Sequence, residues 1–415
     1  MARSSAELLH DAGHEVVVIA GAMESTLTRE LDSNLHGAAS FTQDEGALGA
    51  SVTTTDHDSF LRAFRRWFDS QLDHYDIELL HVHNCGRIFD QVDLAELSQR
   101  IPVMHTMHDE WFFTDAHYTF CSRTGDTIRT YEPRNDSSVV EHDYGQLFAV
   151  PERAGDFLGI GPSQWITDRA ARVFPRLDMV HIPNGVDPNM FSLQDRAAAR
   201  DTLGLPADRP VVLFIGNPTQ ERKGFHIYEA AVSMLQRGHT AAPIRLVVGG
   251  SGSVATGGIE SELVDGPITE RLRHSTTNPV KDLGLDGPAL VVADLDRSLL
   301  ATVYGAADVL VHPSLIDNLP TVPIEAGLCG TRCLATNVGG TAEVIADVDD
   351  LFPLDIAPGE LAARITDALR EAASETATDR LARRETQLAR FAPEKHRDAL
   401  LSVVDRLVRS AGSHG

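Results

Sequence analysis

Short, nearly continuous apolar runs alternate with amphipathic stretches along the whole chain. Runs at 16–19, 77–82, 101–105, 157–160 and 179–182 are four to six residues long, the look of strands buried on both faces of a parallel sheet. Between the first two, 59–72 predicts a helix, with Phe60, Phe64 and Phe68 recurring every four residues on one face. A helix over 6–12 stops at Gly13 and the strand at 16–19 follows. A doubly wound domain would set a strand and a tight glycine turn ahead of that helix, and neither precedes it.

The alternation restarts after 190. A short helix ends at Gly204, with Pro206 close behind, and strands follow at 211–216, 244–249, 290–292, 309–311 and 332–335. Two such halves, joined near 185–195, predict two doubly wound α/β domains with a cleft between them. The domains span 1–187 and 188–392. A closing segment, 393–415, holds a helix with Leu400, Val403, Val404 and Leu407 at helical spacing. Two stretches, 121–144 and 249–287, break the alternation with polar and small residues. Loops of that length are uncommon unless functional or mobile.

Composition narrows the function classes. At 415 residues the chain is too long for one ordinary core. Lys and Arg number 36 against 60 Asp and Glu, a net charge of −24. That field repels phosphate backbones and anionic lipid, and no basic stripe offsets it, so nucleic-acid binding is not expected. Of the four cysteines, Cys85 and Cys121 are isolated, while Cys329 and Cys333 lie four apart with no second pair. They form neither a disulfide framework nor a zinc site, and read as small buried apolar residues. The longest apolar stretches fall far short of the ~20 residues of a membrane span. The first residues lead into a helix rather than a signal peptide, so the chain reads as cytoplasmic.

The most informative segment is 308–344. The run Pro313 to Pro320 follows a strand, where α/β clefts bind ligands, and a helix is expected to open at Thr321. Its first amides would favour an anion or sugar oxygens. Asp317 and Glu325, eight apart, put one carboxylate in the loop and the other two turns along from it. A carboxylate in such a cleft suits vicinal hydroxyls such as those of a ribose. Beyond them stand Gly330-Thr331, Ala335-Thr336, Gly339-Gly340 and the acid Glu343.

This arrangement resembles the donor site of retaining, nucleotide-sugar-dependent glycosyltransferases of family 4. Ile182-Pro183-Asn184-Gly185-Val186-Asp187 resembles their interdomain hinge, and Met107-His108-Asp109 the histidine turn of their N-terminal domain. Gly216 to Gly224 resembles their phosphate-binding loop. The resemblance implies the GT-B fold, two Rossmann-like domains facing across a cleft, with the acceptor against 1–187 and the donor against 188–392. It also implies a last helix that crosses back onto the N-terminal domain.

Carried over position by position, the resemblance has Glu325 grip the nucleotide ribose. Asp317 and the backbone amides around Asn318, Leu319 and Pro320 hold the donor sugar. Lys223 and Arg222, in the loop opened by Gly216, neutralise the leaving diphosphate with no metal. His108 sits near the donor sugar, so His108, Asp317 and Lys223 form the expected catalytic set. No cofactor is implied beyond the nucleotide-sugar co-substrate, with UDP the first candidate base. The acceptor is a hydroxyl on a sugar, a lipid-linked molecule or a small molecule. The chain departs from the family pattern in carrying Asp317 where Glu is usual and Asn217 where an Arg follows the loop glycine. The family's first strand and glycine loop, which line the acceptor and diphosphate side of the cleft, have no counterpart.

Other chemistries remain open. A catalytically impaired accessory protein would bind nucleotide-sugar without turnover. His81, His83, His105 and His108 end neighbouring strands, with Asp109 and Glu110 adjacent, and could hold the metal of a hydrolase or line a polar sugar cleft. Trp111, Phe112, Phe113 and Tyr118 could stack on an acceptor or pack the domain.

Overall fold

The computed structural model describes residues 2–22, 37–42, 50–51, 57–83, 89, 91–110, 121–124, 127–130, 154–237, 242–249, 289–292, 295 and 297–412. Most of 249–287, the centre of 121–144 and the aromatic residues at 111–118 lie outside them.

Helix α1 (Ala2–Asp11) leads into β1 (Val17–Ala22), which pairs in parallel with β2 (Gly37–Thr42), and β2 with β3 (Ala50–Ser51). The predicted strand at 16–19 therefore stands in a three-stranded parallel sheet. Next come α2 (His57–His74), β4 (Leu80–His83), α3 (Gln91–Leu97) and β5 (Val103–Thr106). An antiparallel ribbon follows, β6 (Cys121–Thr124) with β7 (Thr127–Thr130). Then come β8 (Phe157–Gly161), α4 (Gln164–Val173) and β9 (Asp178–His181). Strands β4, β5, β8 and β9 form one parallel sheet in that order. Phe64, Phe68 and Leu72 of α2 share its core with Val82, Val103 and Phe157, and with Ile166 and Ala170 of α4. The four-residue aromatic spacing thus buries one helical face.

The second half holds α5 (Arg196–Leu203), β10 (Val211–Ile215), α6 (Phe225–Gln236), β11 (Ile244–Val248) and β12 (Ala289–Val292). It continues with α7 (Leu300–Ala306), β13 (Val309–His312), α8 (Thr321–Leu328), β14 (Arg332–Thr336) and β15 (Leu351–Phe352). Gly204 ends α5 at φ 67°, in the left-handed region. All six strands are parallel, in the order β12-β11-β10-β13-β14-β15. The order reverses direction between β10 and β13, and such a reversal opens a crevice at the carboxyl ends of the two strands. β10 and β13 are buried on both faces, which is why their sequences are apolar runs rather than alternations.

Three helices close the chain: α9 (Pro358–Ser374), α10 (Ala377–Phe391) and α11 (Pro393–Gly412). A reciprocal capping box between Thr376 and Asp379 starts α10. From there the chain turns onto the other domain. Leu400, Val403, Val404 and Leu407 of α11 bury against Leu9, Met104, Leu158, Ile160 and Ile182. The hinge lies under the start of this helix: Val186 donates its N–H to Phe391 O at 3.0 Å, and His396 Nδ1 is 2.8 Å from Pro183 O. Gly185 has no room for a side chain there, since a Cβ would lie 2.8 Å from Pro393 Cα.

Leu400 is 1 % exposed within this joint. Leu400→Ala should destabilise the protein by ~2–5 kcal/mol, the range for deleting a buried leucine side chain. Urea denaturation followed by circular dichroism measures it, and a change below ~1 kcal/mol would mean that α11 contributes little to the joint.

Candidate active site

The crevice at the strand reversal is built by backbone segments in close contact. Beyond β10 the chain passes Gly216 and a single 3-10 turn (Glu221–Lys223) to Gly224 at φ 68°. A Cβ at Gly224 would lie 1.8 Å from Pro313 O, beyond β13. Two hydrogen bonds tie the loops together, as Arg222 O accepts from Leu315 N at 2.7 Å and from Ser314 Oγ at 3.1 Å. On the other side a Cβ at Gly339 (φ 53°) would meet Asp317 O at 2.2 Å, and one at Gly340 would meet Asn318 O at 1.6 Å. Gly340 N donates to Asp317 O at 3.0 Å. The glycine pair thus lets the segment after β14 lie directly on the Asp317–Asn318 backbone.

Lys223 and Asp317 meet in this crevice, Nζ to Oδ2 at 2.8 Å. Ser314 Oγ lies 3.3 Å from the same carboxylate oxygen, and His312 Nε2 lies 3.7 Å from it. Burial alone would raise the Asp317 pKa, but the imidazole of His312 and the ammonium of Lys223 hold it well below the usual carboxylate range. Asp317 is therefore a fixed anion with a built-in cation. Sequence reading assigned these residues to different ligand groups and missed both their pairing and the part of His312. Arg222 is exposed; its backbone carbonyl, not its side chain, joins the two loops. Asn217 Oδ1 accepts from Thr219 N and Oγ1 at 2.9 and 2.8 Å, so the residue in place of a loop arginine shapes an Asx turn.

Glu325 lies one helical turn beyond Thr321 in α8 and is 7 % exposed. Its Oε2 accepts from the phenol of Tyr304 at 2.7 Å. Burial raises its pKa, against the lowering effect of bonds from Tyr304 and Thr321. The first turn of α8 is poorer in donors than its position suggested: Pro320 and Pro323 carry no N–H. Pro320, named for the sugar-binding backbone, supplies no amide, and the donors at this helix start are Thr321 and Val322.

The N-terminal domain meets the same loop. Asn318 Nδ2 donates to Met107 O at 3.0 Å and His108 O at 3.1 Å, while its Oδ1 accepts from Ser163 Oγ at 2.6 Å. Ser163 is the N-cap of α4, and the exposed amides of that helix start are held by the other domain. Gln164 N and Trp165 N both donate to the Glu343 carboxylate at 2.7 Å, where the helix dipole favours an anion. His108, Asn318, Gly340 and Glu343 are thereby assembled around one interdomain contact.

The strand-end histidines spend nitrogens locally. His83 Nδ1 is 2.8 Å from His108 Nε2, and His81 Nε2 is 2.8 Å from Thr106 Oγ1. Glu110 faces Arg169, Oε1 to Nε at 2.7 Å, in a buried pair. Among the described residues no group of three or more His, Cys, Asp or Glu is placed to hold a metal ion. Burial first, and neighbouring histidines second, lower the pKa to about 3 in His81 and His105. His83 falls further for the same reasons, and in His108, at about 4, burial again leads.

Comparisons with known proteins bear on the family and the fold. Residues 1–190 match the family model described as Glycosyltransferase Family 4, and residues 195–385 the one described as Glycosyl transferases group 1. The chain belongs to this family of GT-B-fold glycosyltransferases. A D-inositol 3-phosphate glycosyltransferase 2 of Catenulispora acidiphila is 34% identical over 163 residues, covering 39% of this chain and 35% of the relative. A D-inositol 3-phosphate glycosyltransferase of Nocardiopsis dassonvillei is 33% identical over 166 residues, covering 40% and 36%. The chain thus spans about a third of the length of these curated relatives (35% and 36%). Sucrose-phosphate synthase from Thermosynechococcus elongatus superposes with a TM-score of 0.70 at 23% identity, covering 99% of this chain and 93% of that one. HepE of Anabaena, solved in complex with UDP-glucose, gives 0.60 at 17% identity, covering 94% and 99%. Both likenesses establish the fold. No helix among the described residues is long and apolar enough to cross a membrane.

The histidine cluster sets an acid limit. Unfolded, each imidazole takes up a proton near pH 6.5, whereas folded His81, His105 and His108 resist until about 3 to 4. The unfolded state therefore binds more protons in that window, and stability falls as pH drops from 6.5 towards 4. Thermal melts at pH 7 and pH 5 should show this loss, and His83→Gln should make it smaller. An equal loss in both proteins would place the acid sensitivity elsewhere.

Proposed function

We propose that the protein is a retaining glycosyltransferase. It moves a sugar from a nucleoside diphosphate sugar to an acceptor hydroxyl, with side-chain cations in place of a metal. One observation carries the reading. At the strand reversal Lys223 pairs with Asp317, the neighbouring Asn318 holds the His108 carbonyl of the other domain, and Glu325 stands one turn into the helix that the same loop opens. Glu325 accepts hydrogen bonds from the ribose hydroxyls. Asp317, with the backbone N–H groups of Asn318 and Leu319, holds the sugar, and Lys223 turns from Asp317 to the diphosphate when the donor enters. Arg222, exposed on the same turn, is the second cation. His108 lies on the sugar side.

In the transfer, the bond from the anomeric carbon to the diphosphate oxygen breaks. The acceptor oxygen then bonds to that carbon on the same face, and its proton passes to the departing phosphate oxygen. Negative charge grows on the leaving group, so an ammonium beside it acts where it lowers the barrier most. UDP is the first base to test, since HepE of Anabaena was solved with UDP-glucose and with UDP. An inositol phosphate is the first acceptor, after the names of the curated relatives.

A thermal-shift titration with UDP, GDP, ADP and TDP, with and without EDTA, tests the donor. One nucleotide should stabilise the protein regardless of EDTA. Glu325→Ala should weaken its binding about 10- to 100-fold, or ~1.4–2.8 kcal/mol. Lys223→Met should lower kcat with the matching sugar donor by about 10²–10³. Response to no nucleotide, or undiminished affinity in Glu325→Ala, would overturn the assignment. Binding without turnover would instead point to an accessory protein, and an EDTA-sensitive shift to the histidines.

A further inference from the structure

Tyr304 belongs to no segment that the sequence marks as functional. It lies in α7, ahead of β13, and is completely buried. Its ring packs edge-on against Phe191 at 6.1 Å, and its carbonyl accepts from Thr331 Oγ1 at 2.7 Å. Phe191 thus flanks the ring while Thr331 ties the backbone it hangs from, and the hydroxyl reaches the Glu325 carboxylate, Oε2 at 2.7 Å. A buried phenol needs a partner, and a buried carboxylate needs donors to stay ionised. Each meets the need of the other.

We infer that Tyr304 is the positioning residue for Glu325: its hydroxyl fixes the rotamer of the carboxylate and keeps it in the ionised form that accepts from two vicinal hydroxyls. Ionised, a carboxylate is acceptor-only; protonated, it gives up one acceptor site for an O–H. The other groups facing Glu325 are Thr321 one turn earlier, the Cys329 thiol one turn later and Arg297 ahead of α7. The thiol is itself pushed up to about 12, chiefly by burial and secondly by Glu325, so it stays neutral through the working range. Burial raises Glu325 while the Tyr304 bond lowers it, and loss of the hydroxyl moves its titration to higher pH.

The functional arm of this inference rests on the reading of Glu325 as the ribose carboxylate. The structural arm does not. With glutamate carboxyl groups labelled with carbon-13, the Glu325 resonance is the one missing in Glu325→Gln, and its titration is followed by NMR. In Tyr304→Phe its midpoint should lie higher than in wild type. UDP affinity by calorimetry should fall about tenfold near pH 6, and less at pH 8, as the acid limb moves up. In Glu325→Gln, adding Tyr304→Phe should change UDP affinity by less than twofold.

An unchanged Glu325 midpoint in folded Tyr304→Phe overturns the inference, whether or not UDP binds. So does an affinity loss equal at every pH, the mark of a merely structural role. A raised midpoint in a protein that binds no nucleotide upholds the pairing and overturns only the ribose reading. Should Tyr304→Phe not fold, Glu325→Asp tests the bond from the other side. It draws the carboxylate back by one methylene, so its midpoint should stand further above that of an ordinary aspartate than the wild-type midpoint stands above that of an ordinary glutamate; an equal or smaller displacement overturns the inference.

Discussion

Three backbone segments at the carboxyl ends of β10, β13 and β14 lie so close together that no Cβ fits between them. Gly224 seats the first loop on Pro313, and Gly339 with Gly340 seats the third on Asp317 and Asn318. Everything chemical in the crevice depends on that spacing. Lys223 reaches Asp317 because the turn before Gly224 is pulled onto the Ser314–Leu315 backbone. A side chain at any of the three positions would have to push a carbonyl away by more than an ångström, and close-packed interiors do not absorb such shifts.

On that scaffold the titrations of the two carboxylates are moved in opposite directions. Asp317 is kept anionic by a lysine and an adjacent imidazole, whereas Glu325 is drawn towards neutrality by burial and restrained by a phenol. Separated environments of this kind give like side chains unlike roles. Across the interface the histidines contribute no positive charge near neutrality, because burial keeps them neutral. The cation on Asp317 comes from the loop after β10, and the one facing Glu325 is Arg297, ahead of α7.

Much of this was legible in the sequence, for a definable reason. Apolar runs announced the strands of both domains because doubly buried strands cannot alternate. The loop-helix spacing of Asp317 and Glu325 put both acids at one strand end, where the structure has them. What escaped notice depends on partners far apart in the chain. Asn318 reaches carbonyls 211 and 210 residues away, and Glu343 holds amides 179 and 178 residues away; no local pattern marks such pairs. Tyr304 in α7 reads as ordinary core. The amides expected of Pro320 are the reverse case: residue type alone rules them out, whatever the fold. The histidines stand as close together as their strand-end spacing implied, but His81 and His83 turn ring nitrogens to Thr106 and His108, contacts that the spacing alone does not announce.

The return of α11 to the N-terminal domain has a mechanical consequence. The chain passes between the domains twice, at 183–187 and again at 391–393, and the two crossings lie side by side, joined by the bond from Val186 to Phe391. A single linker would leave one body free to swing, twist and slide against the other. Two adjacent crossings act as an axle: rotation about the line they define stays soft, while torsion across it must stretch backbone. Relative motion of the two domains is thereby reduced to nearly one degree of freedom, and Glu343, whose backbone oxygen accepts from Arg390 beside the second crossing, sits close to the axle.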